Sequence, residues 1–336
     1  VAISTNKKKS SGLAGAVTVN LLDLETIAGI SNSSFANVGD VSVLAISDGT
    51  IFSIAASLAG ASKNYGVAGA VAVNIIDSAT VAYIGNGTVI TSSGSVTVSA
   101  RDLTSITTVA GALFYGGKGG VGLSAAVDII DSTTIATISD SDVTSTGNVI
   151  VHADTDADII SIAAAIGGGL SDSKLAAAGA ASINIVSTDT LAHITGKVST
   201  GIETLGTVEV LAENDSEFII VAGAIGISTG SLSSKGFGFS AAILIKNTST
   251  LAYIGPGARV KGAGASTLSA LTGRRSASDD RTADILGGVA VIAASSEDII
   301  TISIGGALAK GYGIAGSATV TLLDEETRAY IANGAV

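Results

Sequence analysis

Apolar and polar positions alternate with period two through most of this chain, and the alternating phrase itself recurs. It is clearest in Gly66-Val-Ala-Gly-Ala-Val-Ala-Val-Asn-Ile-Ile-Asp-Ser-Ala-Thr-Val-Ala-Tyr-Ile84. Aligned on the alanine near its end, copies fall at Ala28, Ala82, Ala136, Ala192, Ala252 and Ala329, at spacings of 54, 54, 56, 60 and 77 residues. Period two is the signature of a strand with two unlike faces. A recurrence of this length is the signature of a stacked array.

In the first strand of each unit, one face carries Val19, Val73, Val127, Ile183, Ile243 and Val320, followed by Leu21, Ile75, Ile129, Ile185, Ile245 and Leu322. The other carries Thr18, Ala72, Ala126, Ser182, Ala242 and Thr319, then Asn20, Asn74, Asp128, Asn184, Leu244 and Thr321. Large branched groups against small polar ones read as a half-buried strand with ladders of Val, Ile and Ala inside. Glycine and β-branched residues argue against helix. Asp23, Asp77, Asp131, Ser187, Asn247 and Asp324 read as a turn. A constant isoleucine (Ile30, Ile84, Ile138, Ile194, Ile254, Ile331) follows, with alanine always two places earlier, as at a corner that admits nothing larger. Shorter strands such as Ser95-Val-Thr-Val-Ser-Ala100 come next, and an Ala/Gly-rich strand such as Ile159–Ile166 closes the unit. Four or five strands per unit imply about two coils of some 27 residues each. About twelve coils at roughly 4.8 Å would make a rod on the order of 60 Å long. The expected fold is all-β, a right-handed parallel β-helix (β-solenoid), about two coils per 54–60-residue repeat, the hand following the usual crossover preference.

The organisation expected is one continuous solenoid over 1–336, with units near 12–65, 66–119, 120–175, 176–235, 236–311 and a partial 312–336. The longest spacing marks an inserted loop at 262–287. Both ends fall within a repeat, and neither carries the polar cap that closes a solenoid, so an interior segment of a longer array is expected. Composition agrees: aromatics are 4% of 336 residues, with 43 glycines and no Cys, Met or Trp. Without cysteine there is neither disulfide stapling nor thiolate chemistry. A net charge of −11 with no basic patch argues against nucleic acid as a partner. Mean hydropathy is high at +0.59, yet Gly, Asn, Asp or Ser breaks every apolar run before the roughly 20 residues of a membrane helix. A transmembrane β-barrel needs aromatic girdles, and the six Tyr and six Phe form no girdle pairs along the sequence. No membrane span is expected.

Chemistry-bearing positions are few. A lysine precedes each first strand: Lys9, Lys63, Lys118, Lys174, Lys235 and Lys310, with Lys7-Lys8-Lys9 the densest point. These read either as a ladder for anionic glycans or a neighbouring filament, or as solvated charges that discourage lateral pairing. The insertion holds Arg274, Arg275, Asp279, Asp280, Arg281 and Asp284, either a recognition loop or a solvated excursion. Tyr83, Tyr253 and Tyr330, with His193 in one copy, form an outward column suited to stacking on sugars or to covering apolar neighbours. Gly117–Gly122 and Gly311–Gly316 match Gly-x-Gly-x-x-Gly formally. Each precedes a strand at one repeat position, which is not the dinucleotide context. Asp154, Asp156 and Asp158 alternate on one face, as a weak outside calcium site or as plain solvated charge. No other ligand-spaced metal set, no nucleophile elbow and no inter-coil cluster of Asp, Lys and Arg is evident, so no cofactor and no catalysis are expected.

The phrase Gly-Ala-Val-Ala-Val-Asn-Ile-Ile-Asp…Ala-Tyr-Ile-Gly…Val-Thr-Val-Ser-Ala resembles the repeats of very large secreted filamentous adhesins of the two-partner secretion class, most of all the fusobacterial leukotoxin type. The likeness runs through all six units. It implies a parallel β-helical stalk displayed on or shed from a bacterial surface, with no catalytic residues and with host-cell or surface glycans or proteins as partners. Two further readings stay open: a self-assembling extracellular filament joined laterally or end to end, through flat outward columns of Ala, Ser and Thr, and a polysaccharide-cleaving β-helix enzyme.

Overall fold

The computed structural model describes residues 1–5, 10–169, 173–196, 200–230, 232–275 and 281–336, with side chains in 270–281 left aside. Among the described residues nineteen strands occur in chain order: β1 (Ala2–Ser4), β2 (Gly12–Ser31), β3 (Ser34–Val38), β4 (Val41–Ala61), β5 (Tyr65–Gly85), β6 (Val89–Ser92), β7 (Val96–Gly116), β8 (Gly119–Ser139), β9 (Asp142–Ser145), β10 (Val149–Gly169), β11 (Leu175–Thr195), β12 (Ile202–Thr204), β13 (Val208–Ser228), β14 (Lys235–Ile254), β15 (Val260–Gly262), β16 (Leu268–Arg275), β17 (Arg281–Leu286), β18 (Val289–Ala309) and β19 (Tyr312–Ile331). All but β16 and β17 lie in three parallel sheets, and each coil visits them in turn. One long strand joins the sheet β2-β5-β8-β11-β14-β19, a short strand joins β3-β6-β9-β12-β15, and a second long strand joins β1-β4-β7-β10-β13-β18. The chain is a right-handed parallel β-helix. These are called the first, corner and second sheets below.

The register repeats the sequence spacing. Gly12 lies beside Gly66, Gly66 beside Gly120, Gly119 beside Leu175, Leu175 beside Lys235 and Lys235 beside Tyr312. One repeat is therefore one coil, and the division into two coils per unit is corrected. The short segment and the Ala/Gly-rich segment, read apart in the sequence as at Ser95–Ala100 and Ile159–Ile166, belong to single 21-residue strands, here β7 and β10. The Asp23 column does not turn the chain either: β2, β5 and β8 run straight through Asp23, Asp77 and Asp131. These carboxylates point outward, so the alternation stays in phase and the strand has no cause to break. The assembly is a slab, with strands of roughly 70 Å and a stack of six coils only about 29 Å high.

The turn out of the first sheet has a repeated left-handed residue. Asn32, Asn86 and Asp140 hold φ of 48°, 57° and 45°, and Gly196 takes the place with φ 102°. Asn, Asp and Gly are the residues that adopt this conformation at least cost.

The two faces are the reverse of the expectation. Ala72, Asn74, Ile76, Ser78 and Thr80 are buried, while Val71 is exposed and Val73 and Ile75 are only partly covered. The interior is small and layered. Toward the lysine turns it is nearly all alanine, with Ala59, Ala68, Ala112, Ala165 and Ala176 in one cluster with Phe114. A hydroxyl and amide layer follows. Asn20 donates to Asn74 (2.7 Å), Asn74 to Asp128 (2.8 Å), Thr108 to Asp128 (2.6 Å) and Ser182 to Ser161 (2.8 Å). Next come Ile76, Ile106, Ile130, Ile159 and Phe218, then a second polar layer containing Thr134, Thr155 and Thr190. Where the three sheets meet, Val98, Val151 and Val210 pack against Ile84, Ile138 and the constant alanines Ala82, Ala136 and Ala192, which are fully buried. The sheets lie close together because these inward groups are small. The polar layers are tolerated because most of their hydroxyls and amides find partners across the gap and up the stack, although the Thr80 and Thr250 hydroxyls do not.

Candidate interaction surfaces

The lysine turns stand at one long edge of the slab. Lys63, Lys118, Lys174, Lys235 and Lys310 are all exposed; Lys9 lies outside the described residues. Coils follow at single-repeat steps, so consecutive lysines are nearer than a two-coil spacing would allow, but they do not form a strict ladder. Lys118 and Lys174 share a rung, and the Lys174 N–H donates to the Lys118 carbonyl (3.0 Å). Asn64 and Ser234 occupy that rung in the flanking coils, with Lys63 one place before and Lys235 one place after. The basic residues form a band rather than a column.

On the second sheet's outer face the register assembles an acidic patch. Asp154 lies beside Glu213, Asp156 beside Asp215, and Asp158 beside Glu217, which lies beside Asp298. Arg101 of the neighbouring coil pairs with Asp154 at 3.0 Å. The expectation that no inter-coil cluster of acids and bases forms is therefore corrected; it failed because coils of a full repeat bring residues 53 to 81 positions apart side by side. Asp156, Asp158, Asp215, Glu217 and Asp298 line an open depression of about 210 Å³. Burial, then the charges of Asp158, Asp215 and Asp154, push the Asp156 carboxyl up to about 6, against the opposing pull of Arg101. Burial likewise raises Asp158 and, on the first sheet, Asp131, which also feels Asp77 and Asp189. No group of three or more such side chains among the described residues is arranged to hold a metal ion.

A stability prediction follows. The Asp156 carboxyl sits above its ordinary value of 3.8 in the folded chain. Its contribution is therefore fully present below that value and is lost as pH rises through about 6. Asp156→Asn is expected to raise the melting temperature at pH 7.5 and to leave it unchanged at pH 3.5, read by circular dichroism.

The tyrosine column is assembled as expected. Register places Gly29, Tyr83, Thr137, His193, Tyr253 and Tyr330 on one another. His193 and Tyr253 stack at 5.1 Å and 12°, and Tyr253 and Tyr330 at 5.1 Å and 9°. The Tyr83 ring covers Gly29, where a Cβ would meet it at 2.2 Å. His193 accepts from or donates to Thr137 at 2.9 Å, and burial lowers it to about 4, so it is neutral near pH 7. The rings cover one another, which leaves edges rather than faces for a ligand.

The insertion is a hairpin, β16 antiparallel to β17, placed between the corner sheet and the second sheet. Its root is tied to the slab, with the Ser266 hydroxyl 2.6 Å from Asn148 Oδ1. The backbones of Arg275 and Arg281 face each other across it. The side chains of Arg274, Arg275 and Arg281 lie outside the description, as do residues Asp279 and Asp280.

The largest surface is one that sequence reading placed inside. The outer faces of both long sheets are aliphatic: in mid-stack, Leu123 is 58% exposed, Phe239 50% and Leu113 45%. Between Leu123 and Phe239, Gly179 leaves an open apolar notch of about 320 Å³. The outward columns of Ala, Ser and Thr proposed for lateral assembly point inward instead. No helix among the described residues is long and apolar enough to cross a membrane. No family model matches the chain, and no match is found among curated proteins or solved structures.

Proposed function

We propose that this chain is a rigid, non-catalytic stalk segment of a bacterial surface-displayed or secreted adhesin, meeting its partners through broad faces and the inserted hairpin. The observation that supports it most is the unbroken register. Each long strand pairs along 20 or 21 residues with the next from β2 to β19, which makes the slab one stiff body. The depressions on the outer faces are open and shallow, which suits contact with a broad partner. The repeat resemblance supplies the surface location and the adhesive role.

The test has two parts. Inserting two or four further copies of residues 66–119 is expected to lengthen the particle by about 10 or 19 Å in electron micrographs, at about 4.8 Å per coil. Deleting residues 262–287 is expected to abolish cell or glycan binding while the far-ultraviolet spectrum remains β-type. Unchanged binding after the deletion would move recognition away from the hairpin.

A further inference from the structure

The aliphatic residues on the two outer faces are densest in one band whose limits coincide on both sides of the slab, while Ile27, Leu44 and Ile46 stand exposed outside it. On the first sheet the band covers the positions equivalent to 13–21, and on the second those equivalent to 52–60. Through six strands of one sheet and five of the other, the single Asp, Glu, Lys or Arg in these positions is Asp128, which is buried and faces inward. Contacts across the interior show that the two stretches lie at one level. Thr18 meets Ser53 at 2.9 Å inside the band, and Lys246 meets Glu297 at 2.7 Å just beyond its limit. Outward acids begin at the next positions on both faces, with Asp23, Asp77 and Asp131 on one, and Asp158, Glu217 and Asp298 on the other. At the band's opposite limit stand the exposed lysine turns. Tyr65, Tyr115 and Tyr312 lie beside them, 47%, 44% and 70% exposed.

Nine strand residues span roughly 30 Å, which is the hydrocarbon thickness of a bilayer. The two faces offer on the order of 900 and 700 Å² of mostly apolar area, taking six and five strands at about 4.8 Å by that length. That exceeds the patches usual on monomeric soluble proteins. Apolar outside, small and polar inside, with tyrosine and lysine at the limit, is the arrangement of a membrane-spanning β-structure. A second protein seated on one face gives no reason for the other to be aliphatic to the same level. A bilayer covers both at once and places the lysines among anionic headgroups.

We propose that the lysine-turn half of the slab inserts across a lipid bilayer, with the acidic stripe left at the entry surface and the lysine turns at the far one. The edge strands of the terminal coils then pair with those of further copies of the chain in the same bilayer, since unpaired backbone is not tolerated in hydrocarbon. The aromatic limit escaped the sequence because Tyr65, Tyr115 and Tyr312 are brought to one edge only by folding. The inference does not depend on the adhesive role: a rod that ignored lipid would leave the stalk reading intact.

The test uses the full chain with vesicles of phosphatidylcholine and phosphatidylglycerol. Flotation with the vesicles is expected. It should be lost on Leu123→Lys with Phe239→Lys, and equally on Ile162→Lys with Ile166→Lys on the other face, with melting temperatures near that of the parent. Thr133→Lys with Ser249→Lys, in the acidic stripe, should float as the parent does. The chain has no cysteine, so Lys118→Cys can be probed alone. A membrane-impermeant maleimide added outside sealed vesicles should fail to label it but should label Thr133→Cys. Absence of flotation overturns the proposal. So does ready labelling of Lys118→Cys on floated protein, which would mean that the slab lies flat on the surface. Concentration-dependent dimers without flotation, lost on the lysine changes to one face only, would assign that face to a second copy.

Discussion

Replacing Glu297 with serine is expected to destabilise the chain by about 3–5 kcal/mol, whereas the same change combined with Lys246→Val is expected to be neutral or stabilising by about 1–4 kcal/mol. Lys246 points inward, its side chain 2% exposed, in a column otherwise made of Leu22, Ile76, Ile130, Val186 and Leu323. Its ammonium donates to Glu297 at 2.7 Å and lies 5.7 Å from the Phe218 ring centre. Ser295 donates to the same Glu297 oxygen at 2.8 Å. Burial pushes the Glu297 carboxyl up, but Lys246 and the hydrogen bonds more than offset this and hold it below its ordinary value. The pair is therefore stabilising above the usual carboxylate range, and its contribution is lost as pH falls through the lowered value. The single change leaves an ammonium in an aliphatic column without the carboxylate to which it donates. The double change restores what the neighbouring coils carry, since Val186 lies beside Lys246 and Ser216 beside Glu297. Urea unfolding of the parent, both single variants and the double variant gives the coupling directly. A mild effect of Glu297→Ser would mean that water reaches Lys246.

Phe114→Ala is expected to cost about 3–5 kcal/mol, the range for emptying a large aromatic site. Phe114 is 1% exposed and is the one large ring in the alanine layer. Its space exists because neighbours lack side chains: a Cβ on Gly167 would lie 1.9 Å from the ring, and one on Gly122 2.9 Å from it. Gly167→Ala is thus expected to destabilise the parent and to be milder in the Phe114→Ala background, where a methyl partly refills the void. Gly120 provides the contrast. Its Cβ would also meet the Gly66 carbonyl oxygen at 1.9 Å, so Gly120→Ala should remain costly in both backgrounds. Thermal melts of these variants separate ring from backbone crowding.

The period was legible in the sequence, because it reflects spacing and spacing survives folding; the stacking register was not, since one repeat makes one coil rather than two. The choice of inside and outside was not legible either. An alternating strand has two faces, and its period says nothing about which is covered. Assigning the bulkier face to the core failed because two sheets packed this closely admit only Ala, Ser, Thr and Asn over much of their length. Columns hold the missing signal. Gly15, Gly69, Leu123, Gly179, Phe239 and Gly316 share one outward column, and such variation in volume is tolerable only in open space. The adjoining inward column, Ala16, Ala70, Ser124, Ala180, Ser240 and Ser317, hardly varies, as close packing requires. The same comparison would have flagged Lys246 and Glu297, each alone in its column. The acidic patch was hidden for a different reason: its members come from separate repeats, and half-repeat coils would have set them in the wrong register.

The shape of the coil has a mechanical corollary. Strands of roughly 70 Å joined into two closely packed sheets give a cross-section about three to four times wider than it is thick once the outer side chains are counted. For a uniform beam, resistance to bending about the two transverse axes differs as the square of that ratio, here roughly tenfold. A column of such coils would flex like a tape, readily toward its flat sides and hardly at all toward its edges, so any load it bears would be steered into one plane.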